Sequence, residues 1–234
     1  MTKTLIIIPA YNEAESISRV VKTIESIAPQ YEYVIINDCS TDTTEKICKE
    51  GGYNYINLPV NLGIGGAVQC GYQYALANDY DIVVQFDGDG QHGAEYINEL
   101  VKPIENGEAD MVVGSRFINK EGFQSSFMRR LGILIIKWVI WLCCGAKVTD
   151  TTSGFRAVCK PLISHFAKEY ANDYPEPEAI VSAVLNGYRV KEVPVKMNER
   201  AGGESSINTV RAVYYMIKVP IALAIYRLGA KKVR

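Results

Sequence analysis

An apolar run ends in paired carboxylates at residues 81–92, which read Asp-Ile-Val-Val-Gln-Phe-Asp-Gly-Asp-Gly-Gln-His. The run has the length and composition of a buried strand. Asp87 and Asp89 follow it two positions apart, and Gly88 and Gly90 allow a tight turn that brings both carboxylates towards one ion. Carboxylate oxygens suit Mg²⁺ or Mn²⁺, which are often held together with the phosphates of a substrate. The stretch therefore predicts a strand end that holds a divalent cation; the alternative is a glycine-rich turn capped by aspartate.

Strand-like and helix-like patterns alternate on both sides of this stretch. Residues 5–8 form an apolar run, apolar residues at helical spacing follow over 17–27, and a second apolar run covers 33–36. Such alternation is typical of an α/β fold with a mostly parallel central sheet and helices on both faces. The same patterns predict strands at 55–58, 111–114 and 190–195, and helices from about 41 and at 65–78, 94–106 and 177–186.

Polar residues follow three of the predicted strands at their carboxyl ends. They are residues 11–13 (Tyr-Asn-Glu) after the first strand, Asn37 and Asp38 after the second, and Asp87 and Asp89 after the central run. Ligands of open parallel sheets bind beyond the carboxyl ends of the strands. We therefore expect these side chains to share one site.

The charge of the chain is divided unevenly along its length. Its 234 residues carry a formal net charge of −1 and suffice for one large domain. Residues 122–149 nevertheless hold four basic side chains and no acidic one, and residues 205–234 hold six and none. We expect an α/β domain over 1–206, a basic and apolar C-terminal helix over 207–234, and a negatively charged partner for the basic parts.

Two unusually apolar segments coincide with these basic regions. Residues 131–146, interrupted by Lys137, are fewer than the roughly 20 residues that cross a bilayer. Residues 213–229 are similar and contain tyrosines suited to the headgroup level. Both are predicted to be helices at the interface of an anionic membrane, the first over about 126–146. The alternative is that both are core or dimer-forming helices, because an apolar helix can also be buried against other parts of a protein.

Cysteines and histidines argue against several other chemistries. The six cysteines show no metal-ligand spacing, and we expect reduced, mostly buried thiols. With His92 and His165 as the two histidines, a His-based zinc site or a Ser-His triad has few residues to draw on. The apolar run at 5–8 is too short for a signal peptide and is ended by Pro9, so we expect a cytosolic location.

Seven short motifs stand out, and together they extend over most of the chain. In order they are residues 9–13 (Pro-Ala-Tyr-Asn-Glu), 37–42 (Asn-Asp-Cys-Ser-Thr-Asp), 61–67 (Asn-Leu-Gly-Ile-Gly-Gly-Ala), 87–92 (Asp-Gly-Asp-Gly-Gln-His), 114–116 (Gly-Ser-Arg), 150–156 (Asp-Thr-Thr-Ser-Gly-Phe-Arg) and 199–206 (Glu-Arg-Ala-Gly-Gly-Glu-Ser-Ser). The chain resembles family 2 glycosyltransferases with the GT-A fold, and within them the polyprenyl-phosphate sugar transferases such as dolichol-phosphate mannose synthases. Asn37 and Cys39 depart from the acidic residue and the glycine usual in that family.

The resemblance implies a donor site built on the predicted strand ends. Tyr11 would stack on a base, and Asp38 would accept hydrogen bonds from ribose or base. Arg200 belongs to a glycine-rich loop expected to close over the donor. The implied metal ligands are Asp87, Asp89 and Gln91, with Mg²⁺ or Mn²⁺ as cofactor. The implied donor-binding residues are Pro9, Tyr11, Glu13, Asp38, Gly65, Asp87, Gly88, Asp89, Gln91 and Arg200.

On the acceptor side, the resemblance implies that Arg116 and one residue of the pair Arg129-Arg130 hold a lipid phosphate, because a guanidinium fits a phosphate in two-point contact. For Arg129 and Arg130 the alternative is ordinary membrane-surface charge. Arg156 and Glu178 are further candidates near the sugar or the diphosphate. The implied acceptor-binding residues are Arg116, Arg129, Arg130 and Ser153, and the implied catalytic residues are Asp89, Arg116 and Arg130.

The implied reaction moves a sugar, with inversion, from a nucleotide-sugar to polyprenyl phosphate on the cytoplasmic face of the cell membrane, for cell-envelope glycan synthesis. UDP-glucose or UDP-N-acetylglucosamine is the expected donor, with GDP-mannose next. No nucleic-acid partner is expected, whereas exposed apolar helices predict self-association into a homo-oligomer. Three alternatives stay open: a growing polysaccharide as acceptor, a sugar-phosphate nucleotidyltransferase that lacks its usual glycine-rich N-terminal loop, and a non-catalytic membrane-bound binding subunit.

Overall fold

The computed structural model describes residues 2–119, 127–198 and 209–229, of which 127–131 and 209–213 are described by their backbone. Strands and helices alternate along the chain, as the sequence pattern predicts. In order the elements are β1 (Thr4–Ala10), α1 (Ile17–Ile27), β2 (Glu32–Asn37), α2 (Thr44–Glu50), β3 (Tyr55–Asn57), α3 (Gly63–Ala77), β4 (Ile82–Gln85), a 3₁₀ turn (Ala94–Tyr96), α4 (Ile97–Glu105), β5 (Met111–Ser115), α5 (Phe127–Cys144), β6 (Arg156–Cys159), α6 (Lys160–Lys168), α7 (Pro175–Leu185), β7 (Val190–Pro194) and α8 (Thr209–Gly229).

The strands form one seven-stranded sheet in the order β3-β2-β1-β4-β6-β5-β7. Strand β1 pairs in parallel with β2 and β4, β2 with β3, and β5 with β7. The predicted mostly parallel sheet is confirmed, because each strand-helix-strand unit returns the chain in the same direction. Strand β6 is the exception, since it runs antiparallel to both β4 and β5.

The sequence pattern does not predict β6 or the helix α6 that follows it. Strand β6 has four residues and begins with Arg156, so it gives no apolar run of the usual strand length. It is nevertheless buried because it lies between β4 and β5. Its polar start is opposite Gln85 of β4, so two polar residues face each other at the carboxyl end of β4.

Apolar side chains cover both faces of the sheet. Leu5 and Ile7 of β1 belong to one core, and Ile6 and Ile8 belong to the other, because successive strand residues point to opposite faces. Helices α3, α5, α6, α7 and α8 contribute to the first core, and α1, α2 and α4 contribute to the second. With both faces covered, every residue of β1 is buried.

Helices α5 and α8 pack against each other at the outside of the first core. Ile136 and Ile140 of α5 and Leu223 of α8 are buried. No helix within the described residues is both long enough and apolar enough to cross a membrane. The two helices also expose large apolar side chains, namely Leu134, Ile135, Trp138, Trp141 and Leu142 on α5 and Tyr214, Ile217, Ile221, Ile225 and Leu228 on α8.

The six cysteines are free thiols. Cys48 and Cys143 are buried, and the other four are half-buried. Most of the thiols are therefore less buried than expected.

Candidate active site

Three loops meet at the carboxyl edge of the sheet, beyond the neighbouring strands β2, β1 and β4. The backbone N–H of Asp38 donates a hydrogen bond of 2.9 Å to the carbonyl oxygen of Ala10. The N–H of Gly88 donates one of 3.2 Å to the carbonyl oxygen of Pro9. The polar strand ends that were expected to share one site therefore lie side by side.

The loop after β4 is fixed both internally and by the start of α1. The carbonyl oxygen of Gly88 accepts a 2.7 Å hydrogen bond from Oγ of Ser16. Oδ1 of Asp89 accepts a 3.0 Å hydrogen bond from the backbone N–H of Gln91. Between them, Gly90 has a φ of 76°, in the left-handed region that glycine adopts without strain. The predicted tight turn therefore forms, and it fixes the direction of the Asp89 carboxylate.

Asp87 is held by the end of β4 and by the loop that follows it. Its Oδ1 accepts a 3.2 Å hydrogen bond from Nε2 of Gln85. Its backbone N–H donates to Nδ1 of His92 at 3.1 Å, so the neutral ring carries its proton on Nε2, 3.5 Å from Oδ2 of Asp87. A Cβ atom at Gly154 would lie 2.8 Å from that same Oδ2. Gly154 thus leaves room for the carboxylate that a larger residue would displace.

Asp87 and Asp89 fit a divalent cation that is shared with a substrate. Both carry the hard oxygen ligands that Mg²⁺ and Mn²⁺ prefer. In the part of the chain that the structure describes, no three or more histidine, cysteine or acidic side chains form a metal-binding group. The carboxylates therefore suit an ion whose other ligands come from water and phosphate. Gln91 lies beside them, with its Nε2 3.5 Å from the carbonyl oxygen of Asn198.

The carboxylate of Asp38, which is predicted to accept hydrogen bonds from ribose or base, is held by the start of α3. The residue is 2% exposed, and its Oδ1 accepts a 2.7 Å hydrogen bond from the backbone N–H of Leu62. Burial raises the pKa of its carboxyl group, and the N–H groups of Leu62 and Gly63 oppose that effect. The carbonyl oxygen of Asp38 also accepts a hydrogen bond from the side chain of Asn61. Asp38 thus fixes the start of α3 to the end of β2.

Other residues of the predicted nucleotide pocket differ in exposure. Tyr11 is 48% exposed, which leaves its ring accessible for stacking. Oε2 of Glu13 accepts a 2.8 Å hydrogen bond from Oγ of Ser16. Cys39 has a φ of 55°, a left-handed conformation that favours glycine, the residue that the family resemblance leads us to expect there.

Gly65 at the start of α3 is needed for close packing. A Cβ atom on Gly65 would lie 2.0 Å from the carbonyl oxygen of Ala171 and 2.4 Å from that of Asn172. Its N–H donates a 3.2 Å hydrogen bond to the carbonyl oxygen of Asn172. This N–H is therefore directed to the α6–α7 loop rather than to a phosphate.

Arg116, at the end of β5, forms a buried ion pair. Its Nε and Nη2 donate to Oδ2 and Oδ1 of Asp150 at 2.7 and 2.8 Å, and Nη2 also donates to Oγ1 of Thr152 at 2.7 Å. Burial alone would lower the pKa of Arg116, but the hydrogen bonds and charge of Asp150, with smaller contributions from Asp87 and Glu176, raise it. Arg116 thus contributes a fixed positive charge close to the Asp87 loop.

The buried Arg156 and the half-buried Glu176 interact electrostatically, and Glu176 also interacts with Asp87. The guanidinium of Arg156 donates to the backbone carbonyl oxygens of Ser153 and Glu176. Burial raises the pKa of Glu176, Arg156 opposes that effect, and Asp87 adds to it. Ser153 is 1% exposed, and its Oγ has no hydrogen-bond partner among the described residues.

A sequence model described as "Glycosyl transferase family 2" matches residues 5–166. The chain belongs to this family. One relative of this glycosyltransferase is the UDP-N-acetylglucosamine–dolichyl-phosphate N-acetylglucosaminyltransferase of Methanococcus voltae, 34% identical over 82% of this chain and 84% of the relative. Another is the polyprenol monophosphomannose synthase of Mycolicibacterium smegmatis, 26% identical over 93% of this chain and 85% of the relative.

The fold of the glycosyltransferase is also that of solved structures. Glucosyl-3-phosphoglycerate synthase from Mycobacterium tuberculosis, crystallised with Mn²⁺, UDP and phosphoglyceric acid, superposes with a TM-score of 0.72 at 20% identity. The match covers 99% of this chain and 80% of that one. The predicted GT-A fold is confirmed.

Three residues that help to build the site of this glycosyltransferase were not assigned a role from the sequence. His92 and Asp150 lie inside recognised motifs, and their buried contacts with Asp87 and Arg116 appear only in the folded chain. Glu176 gave no separate signal, because it belongs to a Pro-Glu-Pro-Glu repeat at residues 175–178. Glu178, which is predicted near the sugar or the diphosphate, lines a cavity between α6, α7 and α8.

Some of the predicted site lies beyond what the structure describes. Arg200, with the glycine-rich loop expected to close over the donor, is outside the described residues. Arg129 and Arg130 lie in the first turn of α5, where the backbone is described. Their roles stay predictions.

Proposed function

We propose that this glycosyltransferase transfers a sugar from a nucleotide-sugar to the phosphate of a polyprenyl lipid. The names of the two relatives supply the acceptor class, and one of them names a UDP-sugar as donor. One observation carries the proposal. The turn that holds Asp87 and Asp89 lies at the carboxyl edge of the sheet, where the charge of Asp87 acts on the buried guanidinium of Arg116. UDP-glucose or UDP-N-acetylglucosamine is the proposed donor, ahead of GDP-mannose.

In the proposed reaction, an anionic phosphate oxygen of the lipid attacks C1 of the donor sugar. The new C1–O bond to the lipid phosphate forms as the C1–O bond to the nucleoside diphosphate breaks, so the anomeric centre inverts. A phosphate monoester is mostly ionised at neutral pH, which removes the need for a protein base. The contribution of the protein is then alignment of the two reactants and stabilisation of the leaving group's charge.

The donor residues divide into those that touch ligand and those that support them. Tyr11 would stack on the base, and Asp87, Asp89 and Gln91 would hold Mg²⁺ or Mn²⁺ at the diphosphate. Such an ion, when bound, neutralises charge on the departing diphosphate. Asp38 and Gly65 would act indirectly, since their hydrogen bonds fix the start of α3.

For the acceptor, Arg116 would provide positive charge at the end of β5, with Asp150 holding its guanidinium in place. The basic pair Arg129-Arg130 at the start of α5 would contact the lipid phosphate. Ser153 would support this region through the loop that Arg156 anchors.

The lipid acceptor implies that the enzyme works at a membrane surface, and we propose its cytoplasmic face. Helices α5 and α8 expose Trp138, Leu142, Ile221 and Ile225 among other apolar side chains. The sequence segments that contain both helices carry basic residues and no acidic ones, which suits anionic lipid headgroups. These helices would lie in the interface with their exposed apolar sides against the acyl chains.

Purified protein incubated with undecaprenyl phosphate, Mg²⁺ or Mn²⁺ and a panel of labelled nucleotide-sugars tests the proposal. We expect label in the lipid fraction with one donor and none when the lipid is replaced by a soluble oligosaccharide. Label in the oligosaccharide would instead identify a polysaccharide-elongating enzyme. No turnover of any donor would favour a non-catalytic binding subunit.

A further inference from the structure

A cavity of about 270 Å³ lies between α6, α7 and α8, apart from the loops that carry Asp87 and Asp89. It opens to solvent, and none of the functions proposed above uses it. The residues that matter for its chemistry are Phe166, Glu169, Tyr170, Glu178, Ser182 and Tyr226. Three aromatic rings and two carboxylates therefore line one small space.

Glu178 and Glu176 lie on different sides of α7. Residues two positions apart on a helix do not face each other. Glu176 interacts electrostatically with Arg156, Asp87 and Arg116, whereas burial alone raises the pKa of Glu178. Within the described parts of the chain, the carboxylate of Glu178 has no hydrogen bond and no ion pair. A half-buried carboxylate without a partner is costly unless a ligand compensates its charge.

Two cations of α8, the helix that carries Tyr226, have other interactions than one with Glu178. Lys218 of α8 pairs with Asp173, and its ammonium lies 5.3 Å from the ring centroid of Tyr214. Arg227 of α8 acts electrostatically on Cys143 and Cys144 of α5. No cation of the described residues is therefore paired with Glu178.

The walls of the cavity are held in place by hydrogen bonds and ring contacts. Oγ of Ser182 is 2.7 Å from Nε2 of His165 and 2.8 Å from the hydroxyl of Tyr226, so α6, α7 and α8 are tied together at this point. The rings of Phe166 and Tyr170 meet edge to face with their centroids 5.2 Å apart. Burial lowers the pKa of His165, so at neutral pH its ring is not a cation for Glu178.

We propose that this cavity binds an organic ammonium group. Glu178 would supply the counter-charge, and the rings of Phe166, Tyr170 and Tyr226 would supply cation–π and apolar contact, the combination by which proteins recognise alkylammonium ligands. The volume suits a small group such as ethanolamine or tetramethylammonium. The group belongs either to a soluble amine or to the headgroup of an ethanolamine lipid in the membrane.

Ligand-observed NMR on the full chain tests the site directly, with tetramethylammonium and ethanolamine as probes and no nucleotide-sugar present. We expect saturable binding that Glu178→Gln weakens about tenfold, the loss typical of one charge contact. Glu99→Gln removes an exposed carboxylate from α4 and is the matched control, which should leave binding unchanged. Circular dichroism of both variants checks that they fold.

Vesicles separate the two sources of the ammonium group. Binding to phosphatidylglycerol vesicles is compared with binding to the same vesicles containing phosphatidylethanolamine. If phosphatidylethanolamine increases vesicle binding and Glu178→Gln abolishes that increase, the ligand is a lipid headgroup. If only the free amines bind, the ligand is a soluble amine. The proposal is overturned if neither probe nor lipid binds, or if Glu178→Gln and Glu99→Gln behave alike. Because no sugar transfer is measured, this outcome is independent of the proposed reaction.

Discussion

Arg116 and Asp150 are joined by two parallel hydrogen bonds in the interior of the protein, with side-chain exposures of 9% and 0%. The pair links the end of β5 to the loop that leads into β6. Each charge stabilises the other, because burial has removed most of the water that would otherwise solvate them.

We predict that Asp150→Asn lowers the free energy of unfolding by roughly 3 kcal/mol or more, since it removes the charge that the buried guanidinium of Arg116 contacts through two hydrogen bonds. Urea denaturation measures this loss. Asp110→Asn is the control, because Asp110 forms a similar two-point pair with Arg189, whose side chain is 57% exposed. Solvent-exposed pairs contribute about 1 kcal/mol or less. Equal losses for the two variants would contradict the role given to burial.

Asp89→Asn is predicted to reduce sugar transfer to lipid phosphate by roughly 10²-fold or more, the size of effect expected when an electrostatic contact to the leaving group is lost. The measurement is transfer at saturating Mg²⁺ or Mn²⁺, with Asp79→Asn as a control at an exposed position. Chelation of divalent ions should abolish wild-type activity and re-addition should restore it. If Asp89→Asn transfers sugar at the wild-type rate, the proposed donor site is wrong.

Gly65→Ala is predicted to destabilise the protein by about 1–3 kcal/mol, the usual cost of overpacking. The added methyl group would meet the backbone carbonyls of Ala171 and Asn172, which cannot move aside as a side chain can. Urea denaturation is again the measurement. Gly229→Ala is the matched control, because among the described residues no atom other than the adjacent backbone lies within 4 Å of a Cβ built at that position.

The double variant Trp138→Ser, Leu142→Ser is predicted to weaken binding to anionic vesicles by about 100-fold, because two large apolar side chains no longer enter the interface. The two side chains are 67% and 61% exposed, so the fold should tolerate the change. Vesicle co-sedimentation measures the binding. Ile27→Ser alters an exposed apolar residue of α1 and should bind like the wild type. Unchanged binding of the double variant would contradict the interfacial role of α5.

The stability of the protein is predicted to fall on acidification in part through His165. Burial lowers the pKa of His165 below its ordinary value of 6.5, while Glu169 opposes and Lys168 adds to the effect. The stabilisation from the neutral ring is complete above the pKa of the unfolded chain and is lost as the pH falls through the folded pKa. Urea denaturation from about pH 7 downward should show a shallower decline for His165→Gln, which can still bond Ser182. Identical slopes for variant and wild type would refute this.

Much of the fold follows from patterns that are local in sequence. The apolar run at residues 5–8 predicts a buried strand, and β1, which contains it, is buried along its whole length. The strand does not end at Pro9 as predicted but continues to Ala10. The helix pattern over 17–27 predicts α1 with its observed bounds. Strand β6 is not predicted, because its four residues begin with Arg156 and show no strand pattern of their own. They adopt the strand conformation because they pair with β4 on one side and β5 on the other.

The sequence by itself determined that Asp38, Asp87 and Asp89 follow strands at the same edge of one sheet, because strand periodicity and parallel order place polar residues at that edge. Only the tertiary structure decided that Asp38 is buried against Leu62, and that Glu176 approaches Asp87 while Glu178 lines a cavity. The reason is physical: the environment of a carboxylate is set by the atoms packed around it, and those come from elements far away in the chain.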